Sequence, residues 1–217
     1  MSRQTEVRVV DPRSPAAAAI EAAAALLRTG ELVAYPTETV YGLAADGLSE
    51  CAVRAVIAAK GRPAEKGIIL AVADPEQVAA LAASVPPAAW RLMARFFPGP
   101  LTLVLLAGPA VPPAACGPGG TVAVRMPDHP VALALIRALG RPITSTSANP
   151  SGTLPPRTAA EVLRGLSGRI ALVLDAGPAP GGVPSTVVDL TRDPPVILRE
   201  GAVSETEVRE ALAKEEG

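Results

Sequence analysis

The amino-acid sequence predicts an α/β fold, in which helices flank an open, twisted sheet of mixed parallel and antiparallel strands. Short apolar runs of strand length alternate with helical segments along most of the 217 residues, and this pattern is typical of a largely parallel sheet. The segment TRDPP at residues 191–195 separates the last two predicted strands and favours a hairpin, so the sheet should be mixed. A hydrophobic content of 49% suffices for one sizeable core.

The first half of the chain carries clear start and stop signals for helices. Ser14 and Pro15 suit the N-cap and first position of a helix, which an alanine-rich run continues and Gly30 ends. A strand at 32–35 then leads through the loop PTET to a second helix at 49–59. The elements expected next are a strand at 68–72, a helix that starts at Asp74, a helix at 88–97 and a strand at 101–106.

The second half continues the alternation, and no repeat or domain linker is visible. A strand at 121–125 precedes a helix that Asp128 and Pro130 start and Gly140 ends. Two segments with capping-box spacing, from Thr158 to Glu161 and from Ser204 to Glu207, each predict a helix. The other expected strands are at 143–146, 171–175, 186–190 and 196–199.

Composition excludes several classes of protein. The formal net charge is -1 and aromatic residues make up 2%, so tight, direct binding of nucleic acid is disfavoured. Cys51 and Cys116 are far apart and His129 is the only histidine, so a zinc site is not expected. The start is polar and no apolar run reaches the ~20 residues that span a bilayer. We therefore expect a soluble, cytoplasmic protein.

Cationic side chains concentrate in one loop. The 20 cationic residues include only three lysines, and two of these, Lys60 and Lys66, flank Arg62 in KGRPAEKG. A compact group of cations on a glycine-punctuated loop suits phosphate oxygens, although a solvated surface loop explains the same pattern. The chain contains neither a P-loop motif nor G-x-G-x-x-G, so a nucleotide would be bound in another way.

Two further segments are rich in small hydroxyl side chains. In AYPTETVYGL, Thr37 lies between a strand end and a glycine, where a turn with side-chain-to-backbone bonds is the alternative to a ligand contact. ITSTSANPSG places Ser145, Ser147 and Asn149 in and after a buried strand, at the edge where open α/β sheets bind ligands. One helix cap would use only one or two of these groups.

Two arginines, Arg125 and Arg199, are expected at strand ends, where each could bind a carboxylate or a phosphate or be an ordinary surface residue. Ser185 in PSTVVD does not by itself distinguish a ligand contact from an ordinary structural role.

Seven segments, taken in order, resemble the YrdC-like family of threonylcarbamoyl-adenylate synthases. They are AYPTETVYGLAAD, KGRPAEKGIIL, FFPGPLT, TVAVRMPDHP, TSTSANPSG, PSTVVDL and ILREG. The resemblance implies a basic concave face and a catalytic domain at 13–203, followed by a helix and tail at 204–217. It indicates the short bacterial form, without the extra C-terminal domain of longer members. Many long members have a histidine where this chain reads IILAV.

The resemblance also implies a reaction and its residues. L-threonine, bicarbonate and ATP would give threonylcarbamoyl-AMP and diphosphate, with Mg²⁺ accompanying ATP and no metal site on the protein. The implied catalytic residues are Lys60 and Arg62. The implied L-threonine contacts are Thr37, Arg125, Ser147 and Ser185. The implied ATP contacts are Lys60, Arg62, Lys66, Thr121, Ser145, Asn149 and Arg199.

The expected downstream partner is a threonylcarbamoyl transferase complex that acts on tRNA, with little direct binding of nucleic acid and none of membranes. Two alternatives remain open from sequence: a module that holds RNA in the basic concavity without catalysis, and a paralogous nucleotide-binding protein of the same fold.

Overall fold

A computed structural model of the protein describes residues 4–63 and 65–213. The strands in these ranges are β1 (Glu6–Val9), β2 (Val33–Tyr35), β3 (Gly42–Ala44), β4 (Ile69–Ala71), β5 (Leu101–Leu106), β6 (Thr121–Arg125), β7 (Ile143–Thr144), β8 (Thr146–Ser147), β9 (Leu172–Asp175), β10 (Thr186–Asp189) and β11 (Val196–Arg199). The helices are α1 (Ala17–Arg28), α2 (Glu50–Lys60), α3 (Pro75–Leu81), α4 (Pro87–Phe96), α5 (Pro130–Leu139), α6 (Ala159–Leu166) and α7 (Glu205–Ala213).

The strands form two mixed sheets. One has the order β1-β9-β2-β3-β8, and the other has the order β11-β10-β5-β6-β4-β7. Parallel pairs such as β1 with β9 and β4 with β6 occur beside antiparallel pairs such as β5 with β6. The predicted α/β class is confirmed, and so is the terminal hairpin, because β10 and β11 pair antiparallel. The strands divide over two sheets where the sequence predicted one.

The two sheets meet at Ser145. The sequence predicts one strand at 143–146, but the chain bends there, so β7 pairs with β4 of one sheet and β8 pairs with β3 of the other. The amide of Ser145 donates to the carbonyl of Ile69 at 2.7 Å, and the amide of Thr144 donates to the carbonyl of Ala45 at 3.1 Å. Backbone bonds to both sheets thus fix the position of Ser145.

The central strands β2, β3 and β9 of the five-stranded sheet are buried on both faces, in two separate apolar clusters. Along β2, Val33 and Tyr35 belong to the cluster under α1 and α5, whereas Ala34 belongs to the main core. This alternation is the two-residue period of a strand. Leu27 of α1 and Leu135 of α5 are fully buried in the smaller cluster. Burial on both faces explains why these three strands are almost entirely apolar.

Most of the predicted helix starts are confirmed by their capping bonds. The side chain of Asp74 accepts the amide of Gln77 at 2.8 Å, and Thr158 caps α6 in the same way. At the start of α7, Ser204 and Glu207 form a reciprocal capping box, with amide-to-side-chain distances of 2.9 and 3.3 Å. These local bonds fix the element boundaries that the sequence predicts.

Two predicted helix starts are wrong. The helix α1 begins at Ala17, not at Ser14 and Pro15, because the carboxylate of Asp11 accepts the amide of Ser14 in a turn before the helix. The helix α5 is capped by His129 and not by Asp128, since the ring Nδ1 accepts the amide of Val131 at 3.2 Å. Burial lowers the pKa of His129, which keeps this nitrogen available as an acceptor.

The strands β1 and β3 are absent from the prediction. β1 is an edge strand whose residues are mostly exposed, and β3 contains only three residues, so neither carries a clear apolar pattern. At the other end of the chain, α7 buries Val208 and Ala211 in the main core. The last four residues of the predicted tail lie outside the described residues. Within the described ranges, none of the helices is both long enough and apolar enough to cross a bilayer.

Candidate active site

A cavity of about 190 Å³ lies beside Ser145, where the two sheets meet. Its wall includes segments from both sheets and from the loops at 39–40, 62, 155 and 184–185, so residues far apart in sequence come together in it. The side chain of Thr39 also lies in this wall. Six of the residues that the sequence implies as ligand contacts line the cavity: Arg62, Arg125, Ser145, Ser147, Ser185 and Arg199.

Arg125 lies at the end of β6 and is the most deeply buried of the three arginines, with 5% of its surface exposed. It forms an ion pair with Glu38, and its Nη1 lies 3.4 Å from the hydroxyl of Thr39. Its Nε is buried and has no hydrogen-bond partner. A buried guanidinium N–H without a partner is costly, so this atom is a candidate for binding a ligand oxygen.

Glu38 is the functional candidate that the sequence reasoning missed. Its Oε1 accepts a hydrogen bond from Arg125, and its Oε2 lies 3.2 Å from the amide of Asp128. The carboxylate therefore connects the PTET loop to the loop after β6. Its position within PTET, between two threonines, was the available signal, but the partner is 87 residues away in sequence.

Arg62 and Arg199 are held by backbone carbonyls on other sides of the cavity. Arg62 donates from Nη2 to the carbonyls of Lys66 and Gly67 at 2.6 and 2.9 Å. Arg199 donates from Nη2 to the carbonyl of Ser185 at 2.7 Å. Burial lowers the pKa of both guanidinium groups, and the charge of Arg125 lowers that of Arg199 further. Both remain cationic near neutral pH because arginine starts from a very high value.

Two of the three serine hydroxyls that line the cavity are held by neighbouring side chains. The Ser145 hydroxyl accepts a hydrogen bond from the phenol of Tyr35 at 3.0 Å. The hydroxyls of Ser185 and Thr102 are 2.8 Å apart. Each serine keeps further hydrogen-bonding capacity, since a hydroxyl has one donor and two acceptor positions. The cavity therefore offers oriented hydroxyls beside three cations.

Lys60 is close to the cavity but does not line it. Its side chain is buried and its ammonium group donates to the carbonyls of Ser147 and Asn149, the second at 2.6 Å. The amide of Ser151 in turn donates to the Lys60 carbonyl at 2.8 Å. Burial and the nearby charge of Arg62 lower the pKa of Lys60 to about 8. Lys60 thus holds the SANPSG loop against the end of α2, and its predicted catalytic role stays a prediction.

Asn149 lies on the other side of that loop. Its amide nitrogen donates to the carbonyl of Thr153 at 2.8 Å, whereas its Oδ1 is buried without a partner. It borders a second cavity of about 720 Å³, and Pro155 lines both cavities, so the two adjoin. The unpaired oxygen can accept a hydrogen bond from a ligand.

Three other residues of the implied set do not line the first cavity. The Thr37 hydroxyl donates to the carbonyl of Val40 at 2.7 Å and accepts the amides of its own turn, which is the structural alternative raised from sequence. The Thr121 hydroxyl donates to the carbonyl of Pro118 at 3.2 Å. Lys66 is exposed, and its contact with Arg62 is through its carbonyl. Their predicted roles stay predictions.

The donor set of the cavity suits an anion and not a protein-bound metal ion. Its described lining residues include three guanidinium groups and no carboxylate, and Glu38, which pairs with Arg125, is not among them. Across residues 4–63 and 65–213, no three histidine, cysteine or acidic side chains are grouped to hold a metal ion. Magnesium prefers oxygen ligands such as carboxylates, so the residues present do not form a site for it.

The fold and the cavity define a class: an α/β protein with two mixed sheets and an arginine-lined pocket for a small, polar, negatively charged ligand. The chain belongs to the Sua5/YciO/YrdC family, because the family model, described as "Telomere recombination", matches residues 25–201. This assignment agrees with the resemblance drawn from the seven sequence segments.

The chain has relatives in archaea and bacteria. The chain is 47% identical over 195 residues to a threonylcarbamoyl-AMP synthase of Pyrococcus abyssi, covering 90% of the chain and 57% of the relative. It is 46% identical over 207 residues to the Bacillus subtilis protein of the same name, covering 95% and 60%. The crystal structure of P. abyssi Sua5 complexed with L-threonine superposes with a TM-score of 0.91 at 44% identity, covering 95% and 61%. The chain thus spans less than two thirds of each of these proteins.

Proposed function

We propose that the chain is a threonylcarbamoyl-AMP synthase, which makes threonylcarbamoyl-AMP and diphosphate from L-threonine, bicarbonate and ATP. The observation that carries the proposal is the convergence of Arg62, Arg125 and Arg199 on one cavity beside oriented serine hydroxyls. All of the substrates bear negative charge, and guanidinium groups bind carboxylates and phosphates in a defined geometry. The name of the relatives and the threonine bound to P. abyssi Sua5 agree with these substrates.

On the amino-acid side, Arg125 binds the α-carboxylate of threonine, and Ser147 and Ser185 bind its polar side chain. The buried, unpartnered Nε of Arg125 supports this assignment. Thr37 contributes by holding the turn that presents Thr39 to the cavity, since the two hydroxyls are 2.9 Å apart.

On the nucleotide side, Arg62 and Arg199 neutralise phosphate oxygens, and Ser145 and Asn149 donate or accept hydrogen bonds. Lys60 acts with them by fixing the loop that carries Ser147 and Asn149. Lys66, which is exposed, and the half-buried Thr121 contact the nucleotide as well. Magnesium enters bound to the triphosphate, because the described residues that line the cavity include no carboxylate for it.

The reaction needs no protein nucleophile. The amine of threonine and bicarbonate form a carbamate with loss of water, and the carbamate oxygen attacks the α-phosphorus of ATP, which releases diphosphate. Such a displacement depends on alignment and on neutralising the charge that develops on the phosphate oxygens. Three guanidinium groups, each held by a carboxylate or a carbonyl, supply charge without reorganisation.

Diphosphate release tests this function directly. Purified protein with L-threonine, bicarbonate and MgATP should release diphosphate and form an adduct with the mass of threonylcarbamoyl-AMP, and omission of any substrate should stop both. A parallel titration with RNA at several salt concentrations tests the module without catalysis. Salt-dependent RNA binding in the absence of any adduct would reject the proposal in favour of that alternative.

The wider setting follows from the same proposal. Residues 13–203 form the catalytic unit and 204–217 its C-terminal helix and tail. The adduct is consumed by a threonylcarbamoyl transferase complex that modifies tRNA, and the protein acts in the cytoplasm, where tRNA is available.

A further inference from the structure

The described lining of the cavity has positive groups for the carboxylate of an amino acid but no negative group for its ammonium. An α-amino acid carries an ammonium group beside its carboxylate, yet the described residues that line the cavity provide cations and neutral hydroxyls only. Glu38 does not line the cavity, but its carboxylate pairs with Arg125, which does. A site that binds a zwitterion needs a negative partner for the ammonium, since an unpaired charge out of water is costly.

We propose that Glu38 binds the α-ammonium group of the amino acid and accepts its proton before carbamate formation. This inference rests on the proposed function and adds a residue to it. Glu38 and the substrate carboxylate both bind the Arg125 guanidinium, so the two carboxylates lie side by side. The α-ammonium, attached to the carbon next to the substrate carboxylate, is then within reach of Glu38.

The free positions on Arg125 support this arrangement. Glu38 uses only Nη2, and the Nη1 contact with Thr39 is long at 3.4 Å. The buried Nε is without a partner, and its N–H is available to a second carboxylate. Glu38 therefore does not need to leave Arg125 when the substrate binds.

Glu38 is itself held in place. Its Oε2 lies 3.2 Å from the amide of Asp128, and the carbonyl of Glu38 accepts the amide of Gly181 at 3.0 Å. A methyl group on Gly181 would lie 2.6 Å from that carbonyl, so the two backbones are packed closely. A carboxylate fixed on both sides is suited to direct a ligand rather than to move freely.

The protons balance in this step. Amino-acid nitrogen enters as R–NH₃⁺ and transfers one proton to the Glu38 carboxylate, which leaves R–NH₂ with a free electron pair. That pair forms the N–C bond with bicarbonate carbon, the second proton leaves the nitrogen with a bicarbonate hydroxyl as water, and the product is R–NH–COO⁻. Glu38 then returns its proton to solvent. No oxidant or further reactant is required.

Binding of two ligands that differ at one position tests the proposal. L-threonine and (2S,3R)-2,3-dihydroxybutyrate, which has a hydroxyl in place of the ammonium, are titrated calorimetrically into wild type, Glu38→Gln and Glu38→Asp in the presence of MgATP without bicarbonate. The Glu50→Gln variant is the matched control, because Glu50 also pairs with an arginine and accepts a backbone amide but lies away from the cavity.

The expected result is a loss of discrimination. Glu38→Gln should weaken the affinity for threonine about 10- to 100-fold, as expected for the loss of a charge-assisted hydrogen bond. The affinity for the hydroxy analogue should change only a few-fold. Glu38→Asp and Glu50→Gln should retain the preference for threonine.

Other results would overturn the inference. If Glu38→Gln weakens the binding of threonine and of the hydroxy analogue equally, Glu38 only positions Arg125. Unchanged binding of both ligands in Glu38→Gln would also contradict the inference. So would a folded Glu38→Asp variant that no longer prefers threonine to the hydroxy analogue. If wild type binds threonine, such results leave the proposed function standing. If wild type does not bind threonine at all, the proposed function fails and the inference fails with it.

Discussion

The phenol of Tyr35 donates a hydrogen bond of 3.0 Å to the hydroxyl of Ser145, directly behind the wall of the cavity. Tyr35 is fully buried, and this burial raises its pKa to about 12, so the phenol is neutral at physiological pH and keeps its proton. The Ser145 hydroxyl, which receives that bond, then directs its own proton elsewhere. The pair thus orients a donor at the point where the two sheets meet.

Replacing Tyr35 by Phe should therefore reduce activity while the protein stays folded with only a small loss of stability. The ring still fills its place in the apolar cluster, so the free energy of unfolding should fall by about 1 kcal/mol, the usual net value of one hydrogen bond. The KM for ATP should rise several-fold because Ser145 loses its orientation. Urea unfolding and steady-state kinetics measure the two effects, and an unchanged KM would argue against a role for this pair.

The pKa of Lys60 predicts an alkaline limit to activity. Since that pKa is lowered to about 8, the ammonium loses its proton as the pH rises through 8, and one or both bonds to the SANPSG loop weaken. Activity should fall over the same range. In Lys60→Arg the guanidinium stays protonated, so the fall should move to higher pH even if the maximal rate is lower.

Stability should change in the opposite direction in that window. A lysine with a lower pKa in the folded than in the unfolded chain binds fewer protons when folded between about pH 8 and 10.5. Its contribution to the free energy of unfolding therefore increases with pH in this range. Thermal unfolding at each pH separates the two effects, and an activity loss that follows unfolding would contradict the prediction.

Replacing Arg125 by Lys should mainly affect threonine. The charge beside Glu38 is retained, but a single ammonium cannot bind two carboxylates with the geometry of a guanidinium. The KM for threonine should rise at least about tenfold, which corresponds to 1.4 kcal/mol, while the KM for ATP changes less. Arg192→Lys is the control, since Arg192 is exposed and pairs with Asp189 outside the cavity. A larger effect on ATP than on threonine would reassign Arg125 to the nucleotide.

Gly201 should tolerate no side chain. A methyl group at this position would lie 2.2 Å from the carbonyl of Pro184 and 2.6 Å from the carbonyl carbon of Ser185, so the backbone that holds Arg199 would have to move. Gly201→Ala should lower the free energy of unfolding by about 1–3 kcal/mol and also reduce activity. Gly30→Ala, which has positive φ but open space, should cost roughly 1–2 kcal/mol without reducing activity. Equal activity of the two variants would contradict this account.

Much of the architecture follows from local signals. The cap at Asp74, the left-handed Gly61 after α2 and the box at Ser204 are decided by bonds between residues three to five positions apart, so they can be predicted directly. The failures are local as well. α1 begins later than predicted because Asp11 bonds the amide of Ser14 first, and a short strand such as β3 has too few residues to show a period.

The sequence by itself determined the α/β class, most element boundaries and the segments that supply polar groups. Only the tertiary structure decided which of those groups face the cavity. Thr144 and Ser145 are neighbours, yet Thr144 bonds the backbone of β3 whereas Ser145 lines the cavity. Likewise, the Lys60 ammonium donates to the SANPSG loop, and Glu38 pairs with Arg125, which is 87 residues away in sequence. Short-range bonds and hydrophobic periodicity depend on residues that are close in sequence. The direction in which a side chain points depends instead on how distant segments pack and on which hydrogen-bond partners buried polar groups have.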